Sequence, residues 1–342
     1  MKTSQSRTSS GGDGLQKGLI GFMLPHEQFP VPELIDIGAA AARSGFGLLA
    51  ASDHFQPWQS NEGHSGQAWV TLAALWDRIP EVWAGTTVTC PILRYNPAVI
   101  AEAFASLSLL HPGRIFLGVG SGEALNEQAA TGQWPDWEGR WERLIEAIRI
   151  IRALWSGEPV RFTGKHYSVD AKLYDPPSRP IPLMVGANGR KSMRLAGKYG
   201  DGLITDPRIW KQHRAEWEAG AREAGKNPAE MPVLVEKFVV VGDEQEARKA
   251  AELWRFLPKG FEEYYDIADP AAIQQRAEAE VPLDKVMADW SIGTDPDIHI
   301  AAIKELFDDG ATIVNIHSGQ QDQISAVEFY GSKVLPNFAR VH

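Results

Sequence analysis

Apolar and polar positions fall into blocks along this chain, and the period changes from block to block. Short apolar runs at residues 18–24, 46–51, 82–88, 115–119, 182–185, 202–205, 233–241 and 312–316 have the length of buried strands. Between them, apolar residues recur every three or four positions, as a helix packed on one face requires. The clearest case is Trp137, Trp141, Leu144, Ile145, Ile148, Ile151, Leu154 and Trp155, with Glu and Arg filling the other face. These Trp residues read as core. Further helices are predicted over 32–44, 67–78 and 96–110, and from Arg190 onward. Pro32 and Gly45 bracket the first, Asn96-Pro97 opens the third, and His111-Pro112-Gly113 stops it. Residues 162–169 read as a small hairpin outside the main pattern. Strand and helix alternate about eight times, which predicts an α/β fold of the (β/α)8 TIM-barrel type. Two stretches break the rhythm. Residues 1–16 are polar and read as a disordered tail without the apolar core of a signal peptide. Residues 251–295 carry Trp254, Phe256, Phe261, Tyr264, Tyr265 and Trp290 among charges, and read as an insertion within a single catalytic domain spanning 17–342. That insertion either supplies a substrate pocket over the barrel mouth or packs there as a cap.

Composition narrows the function. The chain has 342 residues, 44% hydrophobic and 23% charged, enough to bury a full core. A net charge of −10 argues against nucleic acid or an anionic membrane surface as a partner, though not against an anionic ligand in a locally basic pocket. No apolar run approaches the roughly 20 residues needed to cross a bilayer. The expected location is cytoplasmic, with export reserved for a chain carrying a leader. The single cysteine, Cys90, forms no intrachain disulfide and no thiolate metal cluster, and reads as a small buried residue.

In a barrel of this kind chemistry gathers where strands end. Glu27 follows the first strand; Asp53, His54 and Trp58 follow the second. Thr87, Val88 and Cys90 close the third, and Glu123 follows the fourth. A histidine at such a point is either a satisfied loop residue or a base, because imidazole titrates near neutrality. The glycines at 118, 120 and 122 do not make a dinucleotide fingerprint, because the third comes one residue early and the run lies mid-chain. They suit a flat ring lying against the backbone. Residues 186–189 are either a simple turn or a phosphate cradle at a helix start. His54 and His64 lack a third ligand at metal spacing, and no Gly-x-Ser-x-Gly elbow is present.

Four motifs carry a resemblance: Ser52-Asp53-His54-Phe55-Gln56-Pro57-Trp58, Arg94-Tyr95-Asn96-Pro97-Ala98-Val99-Ile100-Ala101, the run Phe116 through Glu127, and Leu154-Trp155-Ser156-Gly157. They resemble the glucose-6-phosphate dehydrogenase group of deazaflavin-dependent oxidoreductases, within the bacterial luciferase-like superfamily. Glu27-Gln28-Phe29, Asn61-Glu62-Gly63-His64-Ser65, Thr89-Cys90-Pro91-Ile92, Leu253-Trp254-Arg255-Phe256 and Gly293-Thr294-Asp295-Pro296 are similar to its hydroxymycolic acid dehydrogenase branch. The resemblance implies a homodimeric barrel that binds coenzyme F420 and passes it a hydride from a small-molecule alcohol. By matching position it implies His54 as base, Glu123 as the acid near the reacting ring, Trp58 as a pocket wall, and Glu27 as a rival base or a positioner. It implies coenzyme contacts at Asp53, Thr87, Val88, Cys90, Gly120, Ser121, Gly122 and Asn126. Ala187, Asn188, Gly189 and Arg190 would hold the coenzyme phosphate, and Thr87–Val88 matches a non-proline cis peptide. Trp254, Phe256 and Lys259 are the implied substrate contacts.

The substrate end departs from the sugar-phosphate pattern. Asp289 stands where that group has Arg, and an acid facing a phosphate dianion repels it. The aromatic residues of the insertion favour a larger, less polar secondary alcohol. A sugar-phosphate dehydrogenase is the alternative, and an FMN-dependent monooxygenase on the same barrel is a further one.

Overall fold

The structure is a computed structural model that describes Leu15 and residues 17–79 and 81–338. Apart from Leu15, half-buried against the barrel interior, the tail expected over 1–16 lies outside the described residues. The strands are β1 (Leu19–Leu24), β2 (Leu48–Ala51), β3 (Trp83–Thr86), β4 (Ile115–Val119), β5 (Val160–Thr163), β6 (Ser168–Ala171), β7 (Leu183–Gly186), β8 (Gly202–Thr205), β9 (Val233–Val240), β10 (Ser291–Ile292) and β11 (Ile313–Ser318). In space β1, β2, β3, β4, β7, β8, β9 and β11 pair in parallel, and β11 returns to β1. The ring is closed, so it is an eight-stranded TIM barrel. The antiparallel hairpin β5–β6 stands outside it.

Alternation along each strand separates two cores. Met23, Leu48, Trp83, Phe116, Met184, Ile204, Leu234 and Ile313 point inward and fill the barrel. Their neighbours, such as Leu49, Leu117, Val235 and Val314, point outward against the helices. The helix Val31–Ser44 shows the local logic. Proline occupies its first turn, and Gly45, at φ 102°, closes it by giving its N–H to the Ala41 and Ala42 carbonyls.

Several elements went unread in the sequence, among them the helices Pro207–Glu223, Pro296–Asp308 and Gln323–Phe329. A helix, Ala124–Thr131, starts directly after Glu123. And β10, inside the inserted segment, pairs with Val239 and Val240 of β9, beyond the point where β8 leaves that strand. The inserted segment is mostly helical and has its own small core, in which Trp254, Phe256, Tyr264, Ile273 and Ala277 close over Trp58 and Leu125. No helix among the described residues is long and apolar enough to cross a membrane.

Candidate active site

Because every barrel strand is parallel, all eight C-terminal ends share one rim. β1 delivers Glu27 to it, β2 delivers Asp53 and His54, and the turn after β4 delivers Glu123. Glu27 is buried; its Oε2 accepts from Ser52 Oγ at 2.6 Å, and its Oε1 lies 3.4 Å from His54 Nε2. Asn126, in the first turn of the helix after Glu123, links the other groups. Its Oδ1 accepts from the Phe55 N–H at 2.7 Å, which turns its amide nitrogen the other way. That nitrogen meets His54 Nδ1 at 3.0 Å and Glu123 Oε2 at 3.1 Å. Imidazole and carboxyl, far apart in the chain, therefore share one amide. The same pattern fixes the neutral ring: Nδ1 accepts from Asn126, so the hydrogen sits on Nε2 and points at Glu27.

Asp53 is enclosed by donors. Thr89 Oγ1 lies 2.7 Å from its Oδ2, and Tyr95 Oη and Arg94 Nη2 lie 3.2 and 3.3 Å from its Oδ1. Arg94 also approaches Glu127, whose Oε2 accepts the Leu93 and Arg94 backbone N–H groups at 3.1 and 2.8 Å. Burial, and then the neighbouring Asp53, pushes the Tyr95 phenol up to about 12. Burial also raises Glu127, against the pull of Arg94. Thr89, Arg94, Tyr95 and Glu127 were legible only as parts of matched motifs; as individual site residues the sequence reading missed them.

Trp58 begins an aromatic wall across the mouth. Its ring is 6.0 Å from His54 and stacks on Phe256 at 4.6 Å. Phe256 meets Trp254 at 5.8 Å, and Trp254 meets His317 edge-on at 4.4 Å. The inserted segment therefore brings Trp254 and Phe256 to the mouth. Lys259 is placed differently: its ammonium is held by Glu263 and Glu280 at 3.0 and 2.8 Å. Asp289 is exposed, and its carbonyl accepts from Lys237. Gln59 fastens the His54 loop to the insertion, giving a hydrogen bond to the Glu252 carbonyl at 3.0 Å and taking one from the Phe256 N–H at 2.9 Å.

At the rim, Val88 packs closely against two glycines. The Thr87–Val88 peptide is cis, and Gly120 and Gly186 flank Val88. A Cβ at 120 would come within 2.6 Å of Val88 Cγ2, and one at 186 within 3.1 Å of Val88 Cγ1. Gly122, at φ 76°, adjoins Cys90, whose thiol is pushed well up by burial and by the acids Glu127 and Glu123, so it stays protonated. Farther round, Gly189 opens the helix Arg190–Tyr199, and Trp137, Gly189, Arg190, Lys191 and Ser192 line a depression of about 380 Å³. A second, of about 410 Å³, lies outside the His54 loop between Phe55, His64 and Asp269. No group of three or more His, Cys, Asp or Glu among the described residues is arranged to hold a metal.

Comparison with known proteins agrees with this architecture. The family model described as luciferase-like monooxygenase matches residues 11–312. An F420-dependent hydroxymycolic acid dehydrogenase of Mycobacterium tuberculosis is 47% identical over 320 residues, covering 93% of this chain and 87% of that protein. An F420-dependent glucose-6-phosphate dehydrogenase of Microbacterium testaceum is 37% identical over 327 residues, 94% of this chain and 97% of the other. Among solved structures, an F420-dependent secondary alcohol dehydrogenase in complex with an F420-acetone adduct superposes with TM-score 0.88 at 32% identity, covering 93% of this chain and 98% of that one. With its closed barrel, its matched model and full-length relatives on every side, the chain belongs to the luciferase-like family.

Proposed function

We propose that this protein is a coenzyme F420-dependent dehydrogenase that oxidises a secondary alcohol, with the His54–Glu27 pair as the proton acceptor. The observation that carries the reading is the Asn126 amide, which holds His54 on one side and Glu123 on the other beside a glycine-lined rim. Relatives at 47 and 37% identity and the structural neighbour at 32% are all named for F420.

The residues fit the coenzyme: Gly120 and Gly186 let Val88 lie flat against the rim backbone, and the Arg190–Tyr199 helix start offers N–H groups and the Lys191 ammonium to a phosphate, Arg190 itself being paired with Glu216 at 2.7 Å. When bound, the coenzyme supplies a two-electron acceptor for hydride. The chain's own work is with protons. A hydride leaves an alcohol carbon readily only as the hydroxyl proton departs. The His54–Glu27 pair gains that proton, its net charge passing from minus one to zero, while Ser52 steadies Glu27 throughout. Glu123, across Asn126, is the second proton site. Trp58, Phe256 and Trp254 exclude water and take the apolar body of the substrate. The sugar-phosphate alternative is less well served, since Lys259 is already paired with two glutamates and Arg208 with Glu262 at 3.2 Å.

The assembly we propose is a homodimer, supported by exposed apolar side chains on adjacent helices: Val70 on Ala68–Leu75 with Trp76 at its end, and Val99, Leu109 and Leu110 on Pro97–Leu110. A single buried cysteine fits a reducing, cytoplasmic setting.

The test is to mix protein and oxidised coenzyme with neutral secondary alcohols, sugar phosphates and long-chain hydroxy acids, following loss of the coenzyme's visible absorbance. Turnover is expected with the neutral alcohols. His54→Ala and Glu27→Gln should each lower kcat/KM by about 10²–10⁴-fold, the contribution of a positioned base. Tight FMN binding without F420 binding would overturn the reading. Wild-type rates in either variant would remove the corresponding residue from the pair.

A further inference from the structure

A second histidine–glutamate pair stands at the far end of the aromatic wall. Leu234 points into the barrel and Val235 out of it, so Glu236 and Phe238 point inward as well. The same alternation on β11, from Ile313 inward and Val314 outward, brings Asn315 and His317 inside. Phe238 and His317, in register with each other, lie toward the C-terminal ends of their strands, on the His54 side of the barrel; Glu236 and Asn315, also in register, lie one inward position earlier. His317 Nδ1 gives its hydrogen to Glu236 Oε1 at 2.7 Å. The imidazole is clamped: it stacks on Phe238 at 4.1 Å, meets Trp254 at 4.4 Å, and its Nε2 is buried with no hydrogen-bond partner. Its side chain is 2% exposed, whereas that of Glu236 is 23% exposed.

The carboxylate is thus the member of the pair that reaches the open mouth, and the imidazole is its fixed support. An acceptor-only group offered there among Phe238, Trp254 and Trp290 recognises a hydrogen-bond donor on a largely apolar molecule. Its charge works against an anion. Nearby cations are otherwise engaged: Lys237 faces the other side of β9 and donates to the Asp289 carbonyl, and Arg208 is bound to Glu262. Asp206 adds a second acid near Glu236.

We propose that Glu236, held in place by His317, is a specificity-determining residue that receives a second hydroxyl of the alcohol substrate and turns phosphate esters away. The inference rests on reading this mouth as the alcohol site, and it names the class of alcohol: neutral, mostly apolar, with a second hydroxyl remote from the one oxidised.

Binding tests it apart from turnover. The full-length protein is titrated calorimetrically, with and without coenzyme, with 2-hexanol, 2,5-hexanediol and glucose-6-phosphate. The wild type should bind the diol about tenfold more tightly than the monoalcohol and the phosphate ester weakly. Glu236→Gln removes the charge and should tighten glucose-6-phosphate binding about tenfold. Glu236→Leu removes the acceptor and should erase the preference for the diol. His317→Asn, which keeps a donor toward Glu236, should retain wild-type ratios, and His317→Phe should lose them. Ratios unchanged in both Glu236 variants would overturn the proposal. Ratios that shift as expected in a protein that reduces no coenzyme with any alcohol would sustain the subsite and sink the dehydrogenase reading.

Discussion

Arg94, its side chain 9% exposed, is a cation between two buried carboxylates, Asp53 and Glu127. Among the described residues neither acid has another ion-pair partner, so replacing the arginine strands both. Arg94→Met should destabilise the fold by about 3–5 kcal/mol, the usual cost of breaking a buried ion pair from one side. Urea unfolding checks this. A loss below about 1 kcal/mol, the range of exposed ion pairs, would show that the acids keep protons or water instead. At this scale the sequence was legible where several unusual residues cluster past a strand end, as around His54. It was not legible where a single polar residue interrupts an apolar strand. Glu236 looks like noise within its run and His317 like the polar end of its own; only the pairing of the two strands brings them together. Lys259 shows the converse, a basic residue matched by position whose pairing with Glu263 and Glu280 only the fold reveals.

The loop after β2 behaves as an element of its own. Its three-residue turn, Ser60–Glu62, is closed by a reciprocal pairing in which Glu62 Oε2 accepts the Gln59 N–H at 2.8 Å. The Glu62 carboxyl is buried, and its other oxygen has no partner. Burial, and then the charge of Glu27, holds it well above the usual carboxylate range. The folded chain therefore keeps a proton there that the unfolded chain releases. Stability from this group is full at acid pH and is lost as pH rises from the ordinary carboxylate range through the raised value. Glu62→Gln removes that dependence. Its urea midpoint, relative to wild type, should be higher at pH 8 than at pH 5; equal differences at both would refute the assignment. Such coupling was hidden from the sequence because it depends on a loop folding back on β1. β10 was hidden for a simpler reason: two residues are too few to show a period.

For the molecule as a whole, alternation alone was enough to indicate the barrel, because each of its eight strands is a short apolar run bounded by polar turns. What alternation does not show is the outer surface. In the homodimer we propose, the exposed apolar side chains at and beside the helices 68–75 and 97–110 form the covered face, and Trp76→Glu with Val99→Glu should convert the dimer into a monomer in sedimentation. A wild-type protein that already sediments as a monomer would refute that arrangement. Gln59 has a consequence at this same scale. It belongs to the strip of chain bearing the imidazole that we propose as proton acceptor, yet it is bonded to the backbone of the segment that we propose walls the substrate. Anyone transplanting residues 244–292 from a relative, to confer that relative's choice of alcohol, would also be detaching the anchor of the proton acceptor. Such a chimera should recover its rate only when position 59 travels with the graft.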